Sequence, residues 1–452
     1  MKRKMYKDLI AWKNSNTRTA FFIDGARRVG KSYIAKMFAK NEYKSYIMID
    51  FYNESDDLKH MFIDYKNDLD SLFLNLSIYY NTPLYERNTL FIFDEIQFFP
   101  FVRGLIKYLI QDGRYDFIET GSLVSIKKNV KDIMIPSEEH HVLMSPMDFE
   151  EFLIALDKEN LVFYIKEQFE KMKSIPDAIH RQIMQLFRTY LIVGGMPQAV
   201  LTYINLGEVK DFSQVEIVKQ DILTLYKNDM RKYADGYERK VEDIFNSIPA
   251  LLSNHEKKFS LTSINKDYRV RDYEEAIFWL IDAGIINVAY NVTEPNLGLK
   301  LNEDRKTFKC YMSDTGLLLS HAFGENPQIM NEIYKKIILN KLDFNEGMII
   351  ENVVAQLLKI NHNHIYFYSK YSKENSSDRM EIDFVIPKIK ITSRKNVDVI
   401  EVKSGIRYTY KSLEKYSVKF ADYINKKYII HTDNLKEENG IVFLPIYMTT
   451  LL

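Results

Sequence analysis

Short apolar runs alternate with amphipathic segments in the first third of the chain. Apolar residues three and four positions apart predict helices at residues 4–18, 34–38, 57–80 and 101–110. The apolar runs between them predict strands at residues 20–23, 45–51, 89–93 and 115–120. This alternation favours a parallel sheet with helices on both faces, so the predicted fold class is α/β.

The pattern changes beyond residue 150. A helical stretch is interrupted at Pro176 and again at Gly194-Gly195-Met196-Pro197, which predicts a helical connector or lid. Three helices and two strands follow, the order found in a winged helix-turn-helix. The last segment combines an apolar helix with further strands, which predicts a second α/β domain. We therefore place the domains at residues 1–150, 151–235, 236–325 and 326–452.

The segment after the first predicted strand matches the pattern G-x-x-x-x-G-K-[ST] at every position. It consists of Gly25, Ala26, Arg27, Arg28, Val29, Gly30, Lys31 and Ser32. The glycines let backbone N–H groups point at phosphate oxygens, Lys31 adds charge at the β- and γ-phosphates, and Ser32 offers a hydroxyl to Mg²⁺. A glycine turn beside a surface lysine is the alternative, but the strand and helix on either side favour a P-loop that binds ATP and Mg²⁺.

Two carboxylates follow the strand at 89–93, which is apolar throughout, as a strand buried on both faces should be. Ligands of open α/β sheets bind at the carboxyl ends of the strands. We therefore predict that Asp94 holds Mg²⁺ and that Glu95 polarises the attacking water. The strand at 115–120 ends in Thr120, and Ser122 follows it. Either hydroxyl would hydrogen-bond the γ-phosphate or the water, unless this segment is only a turn.

Three carboxylates and a lysine form a second pattern near the C-terminus. Glu351 lies on an apolar helix, Asp383 lies in a strand at 381–386, and Glu401 and Lys403 share one face of the next strand. The carboxylates would hold a second Mg²⁺ or a Mn²⁺, and Lys403 would orient a water or the scissile phosphate. This is the order D…ExK of restriction-type nucleases. A solvated acid–lysine face is the alternative.

Composition narrows the choice of partners. Lys+Arg and Asp+Glu both number 62, so the net charge gives no general indication of nucleic-acid binding. The predicted recognition helix carries Arg269 and Arg271 but also Asp272, Glu274 and Glu275, which favours protein packing over DNA recognition. A single cysteine, Cys310, suits a reducing compartment. With neither a secretory leader nor a membrane-length apolar run in the sequence, we expect a cytoplasmic protein without a membrane partner.

These motifs together resemble a prokaryotic family of AAA-type ATPases. The resemblance covers nearly the whole chain and includes the P-loop, Asp94-Glu95, Gly194–Pro197, Ser313–Leu317 and the C-terminal acidic residues. It implies a C-terminal half, of unknown function, that combines a winged helix with a PD-(D/E)xK nuclease-like fold. In this family a second serine often follows the Gly-Ser pair, whereas this chain has Leu123.

Two functions from different classes fit these observations. The first is a Mg²⁺-dependent ATPase whose nuclease-like domain acts on DNA or RNA. The second is a non-catalytic ATP-dependent switch whose C-terminal domains bind a protein partner. A nucleotide kinase fits less well because an arginine-rich lid is missing after Asp94-Glu95. Arg103 and Arg114 are candidate arginine fingers toward a neighbouring subunit of a homo-oligomer.

Overall fold

The computed structural model describes two compact units of the chain. One unit contains residues 1–145 and 282–284, and the other contains residues 146–281 and 285–452. The description covers every residue except 16–17, 123–135, 208–210, 235, 254–269, 297, 325–326, 342–345, 363, 371–378, 389–394 and 406–407. Leu123, residues 261–267 of the predicted winged helix and Arg269 therefore lie outside the described residues, as do the side chains of Arg271 and Asp272.

The first unit is built on a five-stranded parallel sheet. Its strands are β1 (Ala20–Asp24), β2 (Ser45–Asp50), β3 (Thr89–Asp94), β4 (Asp116–Thr120) and β5 (Glu139–Leu143). Their order across the sheet is β2-β3-β4-β1-β5, and all neighbouring pairs are parallel. The carboxyl ends of β1, β3 and β4 therefore meet at one edge, where the predicted nucleotide residues follow them. The α/β fold class with a P-loop sheet is confirmed.

Five helices accompany this sheet: α1 (Met5–Lys13), α2 (Lys31–Glu42), α3 (Asp56–Asp64), α4 (Leu69–Tyr79) and α5 (Pro100–Asp112). The prediction of one helix over 57–80 is wrong, because α3 and α4 are separate. The Asp68 carboxylate accepts a hydrogen bond from the Ser71 N–H at 3.1 Å and begins α4 as its N-cap. Apolar periodicity alone does not reveal such a cap inside a helical pattern.

Strand β3 lies at the centre of the apolar packing. All six of its residues are buried, and the Phe91 ring stacks on Phe117 of β4 with centroids 5.5 Å apart. Strand β5 was not predicted from the sequence. Its residues Glu139, His140 and His141 are polar, and they suit an edge strand that is partly exposed.

The second unit contains helices and an eight-stranded mixed sheet. Its helices are α6 (Phe149–Ala155), α7 (Glu159–Glu170), α8 (Asp177–Val193), α9 (Pro197–Asn205), α10 (Ser213–Tyr233), α11 (Glu238–Ser253), α12 (Val270–Asp282), α13 (Thr315–Phe323), α14 (Pro327–Ile338), α15 (Glu346–Asn361) and α16 (Lys411–Lys419). Its strands are β6 (Ile286–Val292), β7 (Glu303–Met312), β8 (Ile365–Lys370), β9 (Met380–Pro387), β10 (Val397–Val402), β11 (Ile424–His431), β12 (Lys436–Glu438) and β13 (Ile441–Pro445).

The hairpin predicted as a wing is part of this sheet. The strand order is β12-β13-β11-β10-β9-β8-β6-β7. Strands β6 and β7 pair antiparallel, and β6 also pairs in parallel with β8, opposing Ala289 to Ile365. One sheet therefore continues across residue 325, where the sequence predicts a domain boundary. Strands β8 and β6 lie between β9 and β7 in this order, yet the Lys309 side chain of β7 contacts Glu381 of β9 and Glu351 of α15.

The Gly194–Pro197 turn and the Ser313–Leu317 segment meet in the second unit. The Asp314 carboxylate accepts hydrogen bonds from the Gly195 N–H at 2.5 Å and the Leu317 N–H at 2.8 Å, so it caps α13 and holds the turn. The backbones approach closely here, since a Cβ on Gly316 would lie 2.6 Å from the Gly194 Cα. Both motifs therefore have a structural role in this packing.

We expect Gly316→Ala to destabilise the second unit by about 2 kcal/mol, because the added methyl group meets backbone atoms that cannot rotate away. Gly104→Ala is the matched control, since Gly104 is also helical and a Cβ there meets nothing within 4 Å. The control should be neutral or stabilising by about 0.5–1 kcal/mol. Calorimetry measures the melting temperatures of both variants. Equal shifts in melting temperature relative to the parent would contradict the packing argument.

Candidate nucleotide site and the C-terminal carboxylates

The P-loop joins β1 to α2. Gly30 is the N-cap of α2 and has φ 98°, and Gly25 has φ 143°, so both glycines have backbone conformations that other residues rarely adopt. A Cβ on Gly25 would also lie 2.4 Å from the Met144 carbonyl oxygen. The loop is therefore shaped by its glycines, and its backbone leads directly into the first turn of a helix, which attracts anions.

Lys31 lies inside its own loop. Its Nζ donates hydrogen bonds to the carbonyl oxygens of Gly25 and Ala26, both at 2.9 Å, and the residue is 5% exposed. Burial lowers the pKa of Lys31, and the nearby carboxylates of Glu95 and Asp24 oppose this shift. The two carbonyl oxygens thus hold a desolvated ammonium within the P-loop.

Asp94 links the P-loop to the end of β3. Its Oδ1 accepts a hydrogen bond from the Ser32 hydroxyl at 2.7 Å and another from the Thr120 hydroxyl. Burial raises the pKa of Asp94, while the hydrogen bonds from Thr120 and Ser32 lower it. The structure therefore brings together three of the predicted residues, from three different segments of the chain.

Glu95 follows Asp94 in a left-handed conformation, with φ 52° and ψ 48°. This conformation is uncommon for a residue with a side chain, and it is often found at functional sites. The Gln97 amide donates a hydrogen bond to Glu95 Oε2 at 2.5 Å, and the Glu95 N–H donates to the Thr120 hydroxyl at 3.4 Å. Both contacts fix the direction in which the Glu95 carboxylate leaves the chain.

Ser122 lies past the end of β4 and is 1% exposed. Within the part of the chain that the structure describes, its hydroxyl has no hydrogen-bond partner. Buried hydroxyl groups normally have such a partner. Among the predicted nucleotide residues in the described part of the chain, Ser122 is therefore the one whose buried side-chain oxygen lacks a partner.

The predicted nuclease residues contact two different lysines. Glu401 Oε2 lies 2.7 Å from Lys403 Nζ on the same face of β10 and the segment after it. Asp383 accepts a hydrogen bond from the Val402 N–H at 2.8 Å, and its other oxygen lies 3.8 Å from Lys309 Nζ. Glu351 lies 3.3 Å from the same Lys309 nitrogen. A lysine that the sequence analysis did not consider is thus placed among the predicted metal ligands.

The second divalent ion expected from the sequence stays a prediction. Across the described residues, three or more His, Cys, Asp or Glu side chains never form a group able to hold a metal. The position that the carboxylates surround already contains a side-chain ammonium. The lysine could not be found from the sequence pattern, because Lys309 lies in the strand predicted as a wing, far along the chain from Glu351.

The comparisons with known proteins agree with the P-loop geometry. Residues 17–153 match a family described as "AAA domain". Residues 184–328 and 346–449 match two families described as domains of unknown function, DUF8612 and DUF4143. The comparison with curated proteins gives no match. The first unit is an ATPase-like P-loop domain.

Three solved structures overlap with most of the chain at low identity. A Walker-type ATPase of Pyrococcus abyssi is 14% identical, covers 73% of this chain and 95% of its own, and has a TM-score of 0.38. The Orc1 protein of Aeropyrum pernix in complex with DNA is 10% identical, with coverage of 74% and 95% and a TM-score of 0.28. Cdc6p of Pyrobaculum aerophilum is 10% identical, with coverage of 74% and 93% and a TM-score of 0.23. The assignment of the fold rests on the strand order and P-loop of this chain.

Two residues near the P-loop were missed by the sequence analysis. Arg3 donates hydrogen bonds to the Val29 carbonyl at 2.8 Å and the Ser145 carbonyl at 2.6 Å, and so braces the loop. The Asp24 carboxylate accepts a hydrogen bond from the Gly25 N–H at 2.6 Å. The basic N-terminal residues and the acid at the end of β1 were visible in the sequence, but nothing there specifies these partners.

Arg103, one of the two candidate arginine fingers, is buried in the first unit. It is 4% exposed, and its guanidinium donates two hydrogen bonds of 2.8 Å to the Glu139 carboxylate. A buried bidentate pair of this kind is costly to separate. Arg114 is also engaged, with Asp112 at 2.8 Å and Asp70 at 2.7 Å, although its side chain is 29% exposed.

Throughout the described ranges, every helix is too short or too polar to cross a bilayer.

Proposed function

We propose that the protein binds ATP and hydrolyses it with the help of Mg²⁺. The observation that carries this proposal is the 2.7 Å hydrogen bond between the Ser32 hydroxyl and the Asp94 carboxylate. It joins the end of the P-loop to the end of β3, the two places that supply magnesium ligands in P-loop ATPases. A glycine turn of purely structural function would not require this pairing.

The residues of the loop fit a bound triphosphate. The backbone N–H groups of Gly25–Ser32 would bind phosphate oxygens, and Lys31 would exchange the Gly25 and Ala26 carbonyls for the β- and γ-phosphates. Ser32 and Asp94 would hold Mg²⁺, which neutralises charge that develops on the phosphate oxygens. The Ser122 hydroxyl, whose partner is missing among the described residues, would donate to the γ-phosphate.

Glu95 would accept a proton from the attacking water. Its carboxylate is positioned by Gln97, and its backbone N–H is directed to Thr120, which also hydrogen-bonds Asp94. This chain of contacts fixes the base relative to the magnesium ligand, as general-base catalysis requires. Thr120 would therefore act by positioning its two neighbours.

We expect phosphate release from ATP to require Mg²⁺ and to stop when EDTA removes the ion. Ser32 is neutral and the Asp94 carboxylate is negative, so neither side chain can neutralise phosphate charge without the ion. A coupled phosphate assay with and without Mg²⁺ measures this, repeated with DNA and with RNA. Stimulation by one nucleic acid would identify it as a partner. Tight ATP binding with zero turnover under every condition would contradict hydrolysis.

A second candidate function is an ATP-dependent switch that binds a protein partner or a second copy of this chain. The observation that favours it is the pairing of the predicted nuclease residues with lysines, Glu401 with Lys403 and Glu351 with Lys309. These contacts suit a folded binding domain. The same assay distinguishes the candidates, since a pure switch binds ATP without turnover.

A further inference from the structure

Lys309 is the buried centre of a charge cluster in the second unit, in which the Glu381 and Asp383 side chains are 35% and 20% exposed. The cluster consists of Lys309 and Tyr311 on β7, Glu351 on α15, and Glu381 and Asp383 on β9. Lys309 Nζ lies 2.9 Å from Glu381, 3.3 Å from Glu351 and 3.8 Å from Asp383. The Tyr311 hydroxyl donates to Glu351 at 2.7 Å. The lysine side chain is 1% exposed and the Glu351 side chain 5% exposed.

An ammonium and a divalent ion cannot share this position. Mg²⁺ and Ca²⁺ bind carboxylate oxygens at about 2.0–2.6 Å, so an ion at the centre of these oxygens would contact the ammonium nitrogen. Glu401, the third predicted ligand, is paired with Lys403 at 2.7 Å. The three carboxylates of the cluster thus share one cation that belongs to the chain, the Lys309 ammonium.

We propose that the Lys309 ammonium is the resident cation of this cluster and that it replaces the divalent ion predicted for the nuclease-like domain. The cluster then connects β7 to α15 and β9, and so joins the segment predicted as a winged helix to the segment predicted as a nuclease. It has a structural role and performs no metal-dependent cleavage. The proposal is independent of ATP hydrolysis in the first unit.

The charge state of Lys309 agrees with this role. Burial alone lowers the pKa of a lysine, but the carboxylates of Glu351, Asp383 and Glu381 outweigh burial and raise the pKa of Lys309 above its usual value. Distances of 2.9 and 3.3 Å from the nitrogen to carboxylate oxygens of Glu381 and Glu351 are those of an ammonium that donates hydrogen bonds. A neutral amine would leave the acidic groups without a counter-charge in a buried position.

The test compares Mn²⁺ binding by the full chain without nucleotide. Lys309→Ala leaves Glu351, Glu381 and Asp383 around an empty volume, so we expect it to bind one more Mn²⁺ per chain than the parent. Saturating Mn²⁺ should raise the melting temperature of Lys309→Ala by roughly 5 °C more than that of the parent. Electron paramagnetic resonance counts the bound Mn²⁺, and Mn²⁺ sites elsewhere in the chain cancel in the comparison.

Lys219→Ala is the matched control. Lys219 is also fully buried, but its Nζ contacts one carboxylate, Glu216 at 3.1 Å, together with the Tyr334 hydroxyl at 2.6 Å and the Ile192 carbonyl at 2.9 Å. Its removal should also destabilise the fold, but this destabilisation should not respond to Mn²⁺. Equal rescue of both lysine variants would overturn the proposal.

Asp383→Asn keeps the test decisive if Lys309→Ala does not fold. In an otherwise native chain this variant should bind as many Mn²⁺ ions as the parent, because the cluster holds none. Loss of one Mn²⁺ in Asp383→Asn would overturn the proposal, as would Mn²⁺-dependent cleavage of DNA or RNA that Asp383→Asn abolishes. A folded Lys309→Ala that gains no Mn²⁺ would overturn it as well.

Discussion

Replacing Lys31 with alanine is expected to weaken ATP binding about a hundredfold or more. The Lys31 ammonium is held by the carbonyls of Gly25 and Ala26, both at 2.9 Å, at the mouth of the loop. Charge-assisted hydrogen bonds are worth about 1.5–3 kcal/mol each, and a hundredfold change in affinity corresponds to about 2.7 kcal/mol. Loss of one or two such bonds to phosphate oxygens accounts for the expected effect.

Isothermal titration with a non-hydrolysable ATP analogue measures this loss. Lys36→Ala is the matched control, because Lys36 lies on the same helix α2 but is exposed. The control should bind the analogue as the parent does. Thermal unfolding of Lys31→Ala without nucleotide shows whether the variant is folded. Undiminished affinity in a folded Lys31→Ala would contradict the assignment of the P-loop.

The proximity of the candidate nucleotide residues could be predicted because these residues depend on local sequence. A strand, a glycine loop and a helix are contiguous from Ala20 to Glu42, and an apolar strand followed by two acids is equally local. The parallel sheet then brings these segments together, since the carboxyl ends of its strands share an edge. The hydrogen bonds of Asp94 with Ser32 and Thr120 are the consequence.

The contacts of Lys309 and Arg3 could not be predicted, because they depend on pairing between segments that are far apart in the chain. The pairing of β6 with β8 brings the predicted wing into the C-terminal sheet, and residue types do not specify that register. As a result, Lys309 lies 3.3 Å from Glu351, although the sequence predicts its strand, β7, to be part of a wing. The contact of Arg3 with Ser145 joins residues 142 positions apart and has no sequence signature. The domain boundaries and the winged-helix and nuclease-like assignments stay predictions.

Glu95→Gln is expected to bind ATP normally while turnover falls by about 10²–10⁴-fold, the usual contribution of a general base. The substitution changes one oxygen to nitrogen and keeps the side-chain shape. The amide oxygen of the new residue can still accept the hydrogen bond that Gln97 donates to Glu95 Oε2. Glutamine has to adopt the same left-handed backbone conformation at position 95 as glutamate does, so the fold should be retained.

Single-turnover kinetics and nucleotide titration separate the two effects. A residue that acts only on the transition state lowers kcat and kcat/KM together, whereas one that acts on ground-state binding raises KM. Gln97→Ala is the comparison variant, because it removes the donor to Glu95 and leaves the carboxylate in place. Its turnover should fall much less than that of Glu95→Gln. Glu95→Gln differs from the parent only in its carboxylate, so parent-like turnover in this variant would assign the base to another residue.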